Sequence, residues 1–305
     1  MEERAIQRIF ILGSGGRLGA ALMKEWQKLD CLKLVSLSRS ELDFSQPEAA
    51  VNVLKNYKLT EKDFIINCAA MTNVDQCEED SGLAMNVNAT TPGLLAQLAA
   101  DAGARFLHVS TDYVFDGKLE RAYRETDQPH PISHYGASKL AGEEAVMATS
   151  PHHYVARVSW VFGPERPSFV DQIIERAFTS DQSAAIDDKT SSPAYTKDLA
   201  EWFQIFLQPE IDGGIYHLCN SGLCSWREYG EYALQVAARY GMPLRTTSVA
   251  PLKLSEMKNF IAQRPQHSAL DTTKFSTLLG KPLRSWQEAV EEYIRLQVTG
   301  NRLQD

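Results

Sequence analysis

Residues 13–19 read GSGGRLG. They join an apolar, β-rich run, RIFIL (8–12), to RLGAALMKEWQKL (17–29), whose apolar residues recur at helical spacing. Gly13, Gly16 and Gly19 stand three apart, with Gly15 as an extra. A strand before and a helix after are what a dinucleotide-binding turn requires. The first glycine permits a tight turn, the second a close approach of backbone to a pyrophosphate, and the third close packing of helix on strand. Free N–H groups at the helix start then face the phosphate charge. Gly13, Gly16, Arg17, Leu18 and Gly19 are therefore candidate cofactor contacts. No G-K-[ST] follows, which disfavours a nucleotide-hydrolysing loop.

The same alternation continues along the chain. Strands are expected at 32–38, 63–70, 104–110 and 153–163. Between them lie helical patterns at 46–57, 82–103 and 133–148, and Pro92 is expected to kink the second. Strands alternating with helices imply β-α-β units, a doubly wound parallel sheet and helices on both faces. The fold class is thus α/β, Rossmann-type, with a smaller C-terminal α/β part for substrate. The expected division is 1–163 for the cofactor, with segments returning at about 187–220, and 164–305 mainly for substrate. The end, 285–297, reads as an amphipathic helix.

The formal charge of −8 disfavours nucleic acid as a partner. No apolar run approaches the ~18 residues of a membrane span, and MEERAIQRIF lacks the apolar core of a signal peptide. A cytoplasmic protein without membrane contact is expected. Cys31, Cys68, Cys77, Cys219 and Cys224 are odd in number and form no C-x-x-C pair, so they read as reduced thiols. His130 and His134 are separated by Pro131, and no metal site is expected.

Strand two ends in LSRS, where an acidic residue would hold a ribose 2′-hydroxyl. Arg39 there suits a 2′-phosphate, hence NADPH, with NADH as the alternative. Tyr135 and Lys139, in YGASK, share one helix face at i and i+4. A phenol titrates near ~10. An ammonium beside it, helped by a cationic nicotinamide, would favour phenolate and make a proton donor for a carbonyl–alcohol pair.

Taken with the Ser110–Thr111 strand end, these features resemble an extended short-chain dehydrogenase/reductase, more closely the dTDP-4-dehydrorhamnose reductase family. The carrying stretches are NCAAMTNVDQCE (67–78), MNVNA (85–89), HVSTDYVFDG (108–117), HYGASKLAGE (134–143), ARVSWVFG (156–163), GGIYHLCNSGLCSWREY (213–229) and RPQHSALDTTKF (264–275). They span nearly the whole chain. The resemblance implies that Thr111, Tyr135 and Lys139 are catalytic. It implies that Cys68, Ala69 and Ala70 line the cofactor with Tyr135 and Lys139. It implies that Thr72, Thr111, Asp112, Tyr113, Tyr135, Trp160 and Arg264 meet a sugar-nucleotide substrate, Arg264 at its diphosphate. Either Asn86 or Asn88 matches an asparagine of many short-chain dehydrogenases. The implied reaction is NADPH-dependent reduction of a nucleotide-linked 4-keto-6-deoxysugar by a monomer or homodimer.

DDKTSSPAYTKDLA (187–200) keeps the family's Tyr195, Asp198 and Leu199 but departs at Asp188, Ser191 and Ala194, and His267 stands where asparagine is common. Ala21 occupies a place where some relatives carry an acidic ligand to a metal bridging their dimer, so such a dimer is not expected. The departures leave two alternatives open. One is a non-catalytic NADP-binding relative like the regulatory subunit of methionine adenosyltransferase. The other is a different sugar-nucleotide reductase or epimerase.

Overall fold

The structure, a computed structural model, describes residues 6–29 and 32–301. Cys31 lies outside the described residues. The first half alternates β1 (Arg8–Leu12), α1 (Arg17–Trp26), β2 (Lys33–Leu37), α2 (Pro47–Lys55) and β3 (Asp63–Asn67). Then come α3 (Val74–Glu79), α4 (Ser81–Met85), α5 (Thr91–Asp101), β4 (Arg105–Thr111), α6 (His134–Met147) and β5 (Tyr154–Val158). A sixth strand, Gly214–His217, returns to pair with β5. The sheet order is Gly214–His217, β5, β4, β3, β1, β2, with every pairing parallel.

Both faces of the inner strands are covered, so β1 and β3 carry unbroken apolar runs, Ile9–Leu12 and Phe64–Ile66, rather than alternating with polar residues. Ile9, Ile11, Phe64, Ile66 and Leu107 pack on one side with Trp26 and Phe206. Phe10, Leu12, Ile65 and Phe106 pack on the other with Leu54 and Leu95. The remaining helices are α7 (Phe169–Thr179), α8 (Thr196–Trp202), α9 (Trp226–Arg239), α10 (Thr273–Leu279) and α11 (Trp286–Asn301). A third apolar cluster joins α7, α9 and α11 through Ile173, Leu234 and Val290. Trp26 Nε1 donates to Ala200 O at 2.7 Å and pins α1 to α8.

Two elements differ from their sequence reading. The helix over 82–103 is not one kinked rod. Pro92 has no N–H for the carbonyl of Asn88, and the chain widens into a π-helical turn, Asn86–Thr90, just before it. The strand over 153–163 is two. β5 stops at Val158, Trp160 sits at φ 40°, and Val161–Phe162 leaves the sheet to pair with Ala194–Tyr195. A bulky residue at positive φ costs on the order of 1–3 kcal/mol and is found where a site over-determines it.

β1 lies between β2 and β3, so the chain leaves β1 in opposite directions on successive crossovers. That switch point opens a crevice at the carboxyl ends of the strands. The glycine turn, Arg39, Cys68 and Thr111 all lie at those ends.

Candidate active site

At the turn, Gly13 adopts φ 75°, and a Cβ there would come 2.7 Å from Ala69 N, so the turn lies directly on the loop after β3. Gly16 N donates to Gly13 O at 2.9 Å. Ala20 N is the first amide of α1 to bond one turn back, to Gly16 O, so the amides of Arg17, Leu18 and Gly19 precede the helical ladder. Gly15 has open space where a Cβ would stand. This cradle fits a pyrophosphate. The Arg17 guanidinium donates instead to Val161 O (2.8 Å) and Pro167 O (2.5 Å), bracing the turn from behind. At Gly19 a Cβ would collide with Gly13 O. Gly19→Val is therefore expected to abolish dinucleotide binding and to lower the melting midpoint, as cofactor fluorescence titration and calorimetry would report.

Arg39 is exposed after β2 and has no hydrogen-bond or ion-pair partner among the described residues. Neighbouring Glu41 folds back to accept from Ser38 N (2.8 Å) and Ser38 Oγ (2.7 Å), which holds its pKa below the usual value.

Helix α6 delivers Tyr135 and Lys139. Ser133 caps it, its Oγ accepting from Gly136 N at 3.1 Å. A Cβ on Gly136 would strike Tyr113 O, so this glycine lets α6 settle against the end of β4. The rings of Tyr135 and Tyr113 meet edge to face, centroids 5.5 Å apart. Thr111 Oγ1 donates to Asp112 Oδ1 (3.1 Å) and accepts from Tyr113 N (3.2 Å). Burial pushes the Tyr135 phenol above its ordinary value, and the Thr111 hydroxyl works against that rise. The sequence reading expected Lys139 to lower it. The structure differs because Lys139 Nζ points into β4, donating to Val109 O at 2.7 Å and lying 3.1 Å from His108 Nε2. Burial also brings Lys139 itself down to about 8, against the charge of Glu143.

Tyr113 is buried beside Tyr135. Trp160 stacks on Tyr229 (6.0 Å), and its Nε1 is buried with no partner. Asn88, not Asn86, is the buried asparagine. It bonds both backbone groups of Met71, at 2.8 and 3.0 Å, and Ser138 Oγ at 3.0 Å, so it fixes the loop of Cys68, Ala69 and Ala70 against α6. Burial raises the Cys68 thiol to about 12. Thr72 is exposed at the rim.

Arg264 is not a free cation. Its guanidinium donates to Asp75 Oδ1 (3.1 Å) and Oδ2 (2.8 Å) and lies 3.6 Å from the Phe260 ring centroid. Asp75 also accepts from the Ile261 and Ala262 amides, and the Arg264 bond is the chief cause that holds its carboxyl at about 2. A carboxylate depressed in the fold is kept above its unfolded pKa and lost as pH falls through the folded one. This latch across the rim is therefore at full strength above the ordinary carboxylate range and weakens as pH falls from there toward about 2.

Sequence reasoning passed over four residues. Lys189 Nζ is buried 5.0 Å from the Tyr113 ring centroid and donates to Pro265 O at 2.5 Å. His108 meets Lys139. Glu143 and Arg157 form a buried ion pair at 2.6 Å, and Ser110 Oγ donates to Glu143 at 2.5 Å. Ser110 is thus committed to α6. Asp112 gathers Ser191 (3.1 Å) and Ser268 (2.5 Å), and His267 Nδ1 lies 3.0 Å from Thr190 Oγ1. The departures at Ser191 and His267 so pack against the site. Among the described residues no three His, Cys, Asp or Glu side chains are grouped to hold a metal.

A six-stranded parallel sheet, a glycine turn at its switch point and a tyrosine–lysine helix at the end of β4 define a dinucleotide-dependent short-chain dehydrogenase/reductase architecture. The profile described as the RmlD substrate binding domain matches residues 7–298, and the chain belongs to that family. It is 32% identical to the spore coat polysaccharide biosynthesis protein SpsK of Bacillus subtilis over 94% of this chain and 97% of that one. It is 34% identical to the dTDP-4-dehydrorhamnose reductase of Mycobacterium tuberculosis, over 93% and 91%. The crystal structure of dTDP-4-dehydrorhamnose reductase from Bacillus anthracis in complex with NADP superposes with a TM-score of 0.86 at 29% identity, covering 95% and 99%.

Proposed function

We propose that this chain is an NADPH-dependent reductase that converts dTDP-4-dehydrorhamnose to dTDP-rhamnose. The observation that carries this reading is that α6 sets Tyr135 against Tyr113 and Thr111 at the carboxyl end of β4, with Lys139 one turn further along the same helix, in a chain whose relatives over more than nine-tenths of its length include dTDP-4-dehydrorhamnose reductases. NADPH supplies the hydride when bound. Gly13, Gly16, Leu18 and Gly19 hold its pyrophosphate through backbone, with Arg17 bracing the turn. Cys68, Ala69 and Ala70 line its nicotinamide side.

Tyr135 donates its phenolic proton to the substrate's carbonyl oxygen as the carbonyl carbon is reduced, so the ketone leaves as an alcohol. Thr111 positions that oxygen and stabilises its developing charge once its hydroxyl proton, given to Asp112 Oδ1 in the free protein, turns to the substrate. Tyr113 and Trp160 form apolar walls for the sugar ring, and the orphaned Trp160 Nε1–H has a donor to offer it. Thr72 and Arg264 meet the nucleotide side, Arg264 after exchanging part of its Asp75 contact. The cofactor belongs to the half up to 163 and the sugar nucleotide mainly to the rest. Burial of Cys77, Cys219 and Cys224 as free thiols suits a cytoplasmic setting, and no membrane or nucleic-acid partner is needed. The protein acts as a monomer or homodimer.

The non-catalytic binding reading is not favoured, because relatives over more than nine-tenths of the chain include dTDP-4-dehydrorhamnose reductases; an intact catalytic set alone would not exclude it. Purified protein is expected to oxidise NADPH on addition of dTDP-4-dehydrorhamnose. No turnover across a panel of 4-keto sugar nucleotides would sink the assignment. Arg39→Ala should raise the KM for NADPH about tenfold or more while leaving that for NADH within twofold, since one exposed charge-assisted contact to a phosphate is worth roughly 1.5–3 kcal/mol at most. Equal effects on both cofactors would remove Arg39 from the 2′-phosphate site.

A further inference from the structure

His108 sits in the middle of the apolar strand β4 with no exposed surface, and its hydrogen bonds restrict its proton to one nitrogen. The Ala69 N–H donates to Asn67 Oδ1 at 3.0 Å. That bond orients the Asn67 amide, because rotating it would set the NH₂ group against the Ala69 N–H. Asn67 Nδ2, a donor only, then faces His108 Nδ1 at 2.9 Å. His108 Nδ1 must accept. Burial pushes His108 well below its usual pKa, so the ring is neutral and carries its proton on Nε2. Nε2 faces Lys139 Nζ at 3.1 Å.

An ammonium has three donors and no lone pair. Opposite Nε2–H it would meet donor to donor. The neutral amine resolves the conflict: its lone pair accepts from His108 Nε2–H, and one of its own N–H groups goes to Val109 O at 2.7 Å. The imidazole can come this close because position 142 is glycine, where a Cβ would lie 3.2 Å from Nε2. The other titratable groups facing Lys139 are Glu143, already occupied by Arg157 and Ser110, and the Cys68 thiol, which burial keeps protonated.

We infer that His108 is a positioning residue, locked by Asn67 as the Nε2–H tautomer, which disfavours the ammonium of Lys139 and couples cofactor binding to proton uptake at that lysine. The second half rests on the cofactor reading above. An anionic NADPH beside Lys139 favours its charged form, so by linkage binding draws a proton in wherever the free protein holds the amine. The working pH is near that boundary, since burial brings Lys139 to about 8.

The test begins without cofactor. Two-bond ¹H–¹⁵N spectra of the wild-type protein should place the His108 proton on Nε2, and a proton on Nδ1 overturns the inference. In His108→Gln the amide can turn its oxygen to Lys139, so the Lys139 pKa, read from ¹⁵Nζ shifts, should rise; an unchanged or lower value also overturns it. With cofactor, wild-type NADPH affinity measured by fluorescence should fall as pH rises through the Lys139 pKa, by up to about tenfold per unit. In His108→Gln that fall should move to higher pH. A wild-type profile in the variant overturns the coupling. No NADPH binding at any pH would instead overturn the cofactor reading and leave the tautomer result to stand on its own spectra.

Discussion

Tyr135→Phe is expected to lower kcat for NADPH oxidation by about 10²–10⁴-fold, the usual contribution of a positioned proton donor. The variant keeps the ring that packs edge to face on Tyr113 and removes only the oxygen near Thr111. Cofactor affinity and melting midpoint should therefore stay close to wild type, and the loss should fall on kcat rather than KM. Tyr113→Phe is the matched control. It too deletes a buried phenolic oxygen, but one with no lysine four residues on, since position 117 is glycine. It should retain rate within about tenfold if Tyr113 is a wall, on the order of one lost neutral hydrogen bond. Full activity in Tyr135→Phe, or equal losses in both, would reassign the proton. Because burial raises the phenol, Tyr135 stays protonated throughout the neutral range. Its own titration should not limit turnover there.

The parallel-sheet half of the fold was legible because its signals are local. A strand, a glycine turn and a helix follow one another within 8–26, and the β-α alternation repeats that logic. The break at Trp160 was not legible. No proline or glycine in VARVSWVF marks a break, and the chain leaves the sheet there because Val161–Phe162 finds a partner at Ala194–Tyr195. Lys189 was hidden for a related reason. Its segment reads as turn-rich and polar, and its burial depends on Thr190 and Ser191 pairing with 224–225 and on a bridge from Thr190 to His267. Arg264 was legible as a candidate cation, but its partner Asp75 lies 189 residues away. The Tyr135–Lys139 spacing placed both residues on α6. It could not reveal that β4 would offer Lys139 a histidine and a carbonyl. The one local hint was His108 itself, a titratable residue within the apolar stretch Phe106–Val109.

Arg157→Ala should destabilise the protein by about 3–5 kcal/mol, the cost of leaving one member of a buried ion pair uncompensated. The pair is almost wholly shielded, with side chains 1% and 2% exposed, so solvent screening does not discount it. Arg157 Nε and Nη2 donate to Glu143 Oε1 (2.9 Å) and Oε2 (2.6 Å), and the guanidinium lies 5.0 Å from the Phe115 ring centroid. Removing it strands the Glu143 carboxylate behind α6, one turn after Lys139, with only Ser110 to bond it. A loss of that size is a large part of the ~5–15 kcal/mol that holds a typical domain together. Replacing the pair together, as Glu143→Leu with Arg157→Met, should cost far less, because apolar residues of similar volume often match or exceed a buried pair in stability. What remains are the unpaired Ser110 hydroxyl and the loss of the contact between Arg157 and buried His217 Nε2 at 3.4 Å, about 1–3 kcal/mol each at most. Urea denaturation of Glu143→Leu, Arg157→Met and the double variant measures this coupling directly. Additive losses would mean that the pair does not act as a unit. A double variant that is stable but slow would show instead that Glu143 matters through the charge it sets beside Lys139.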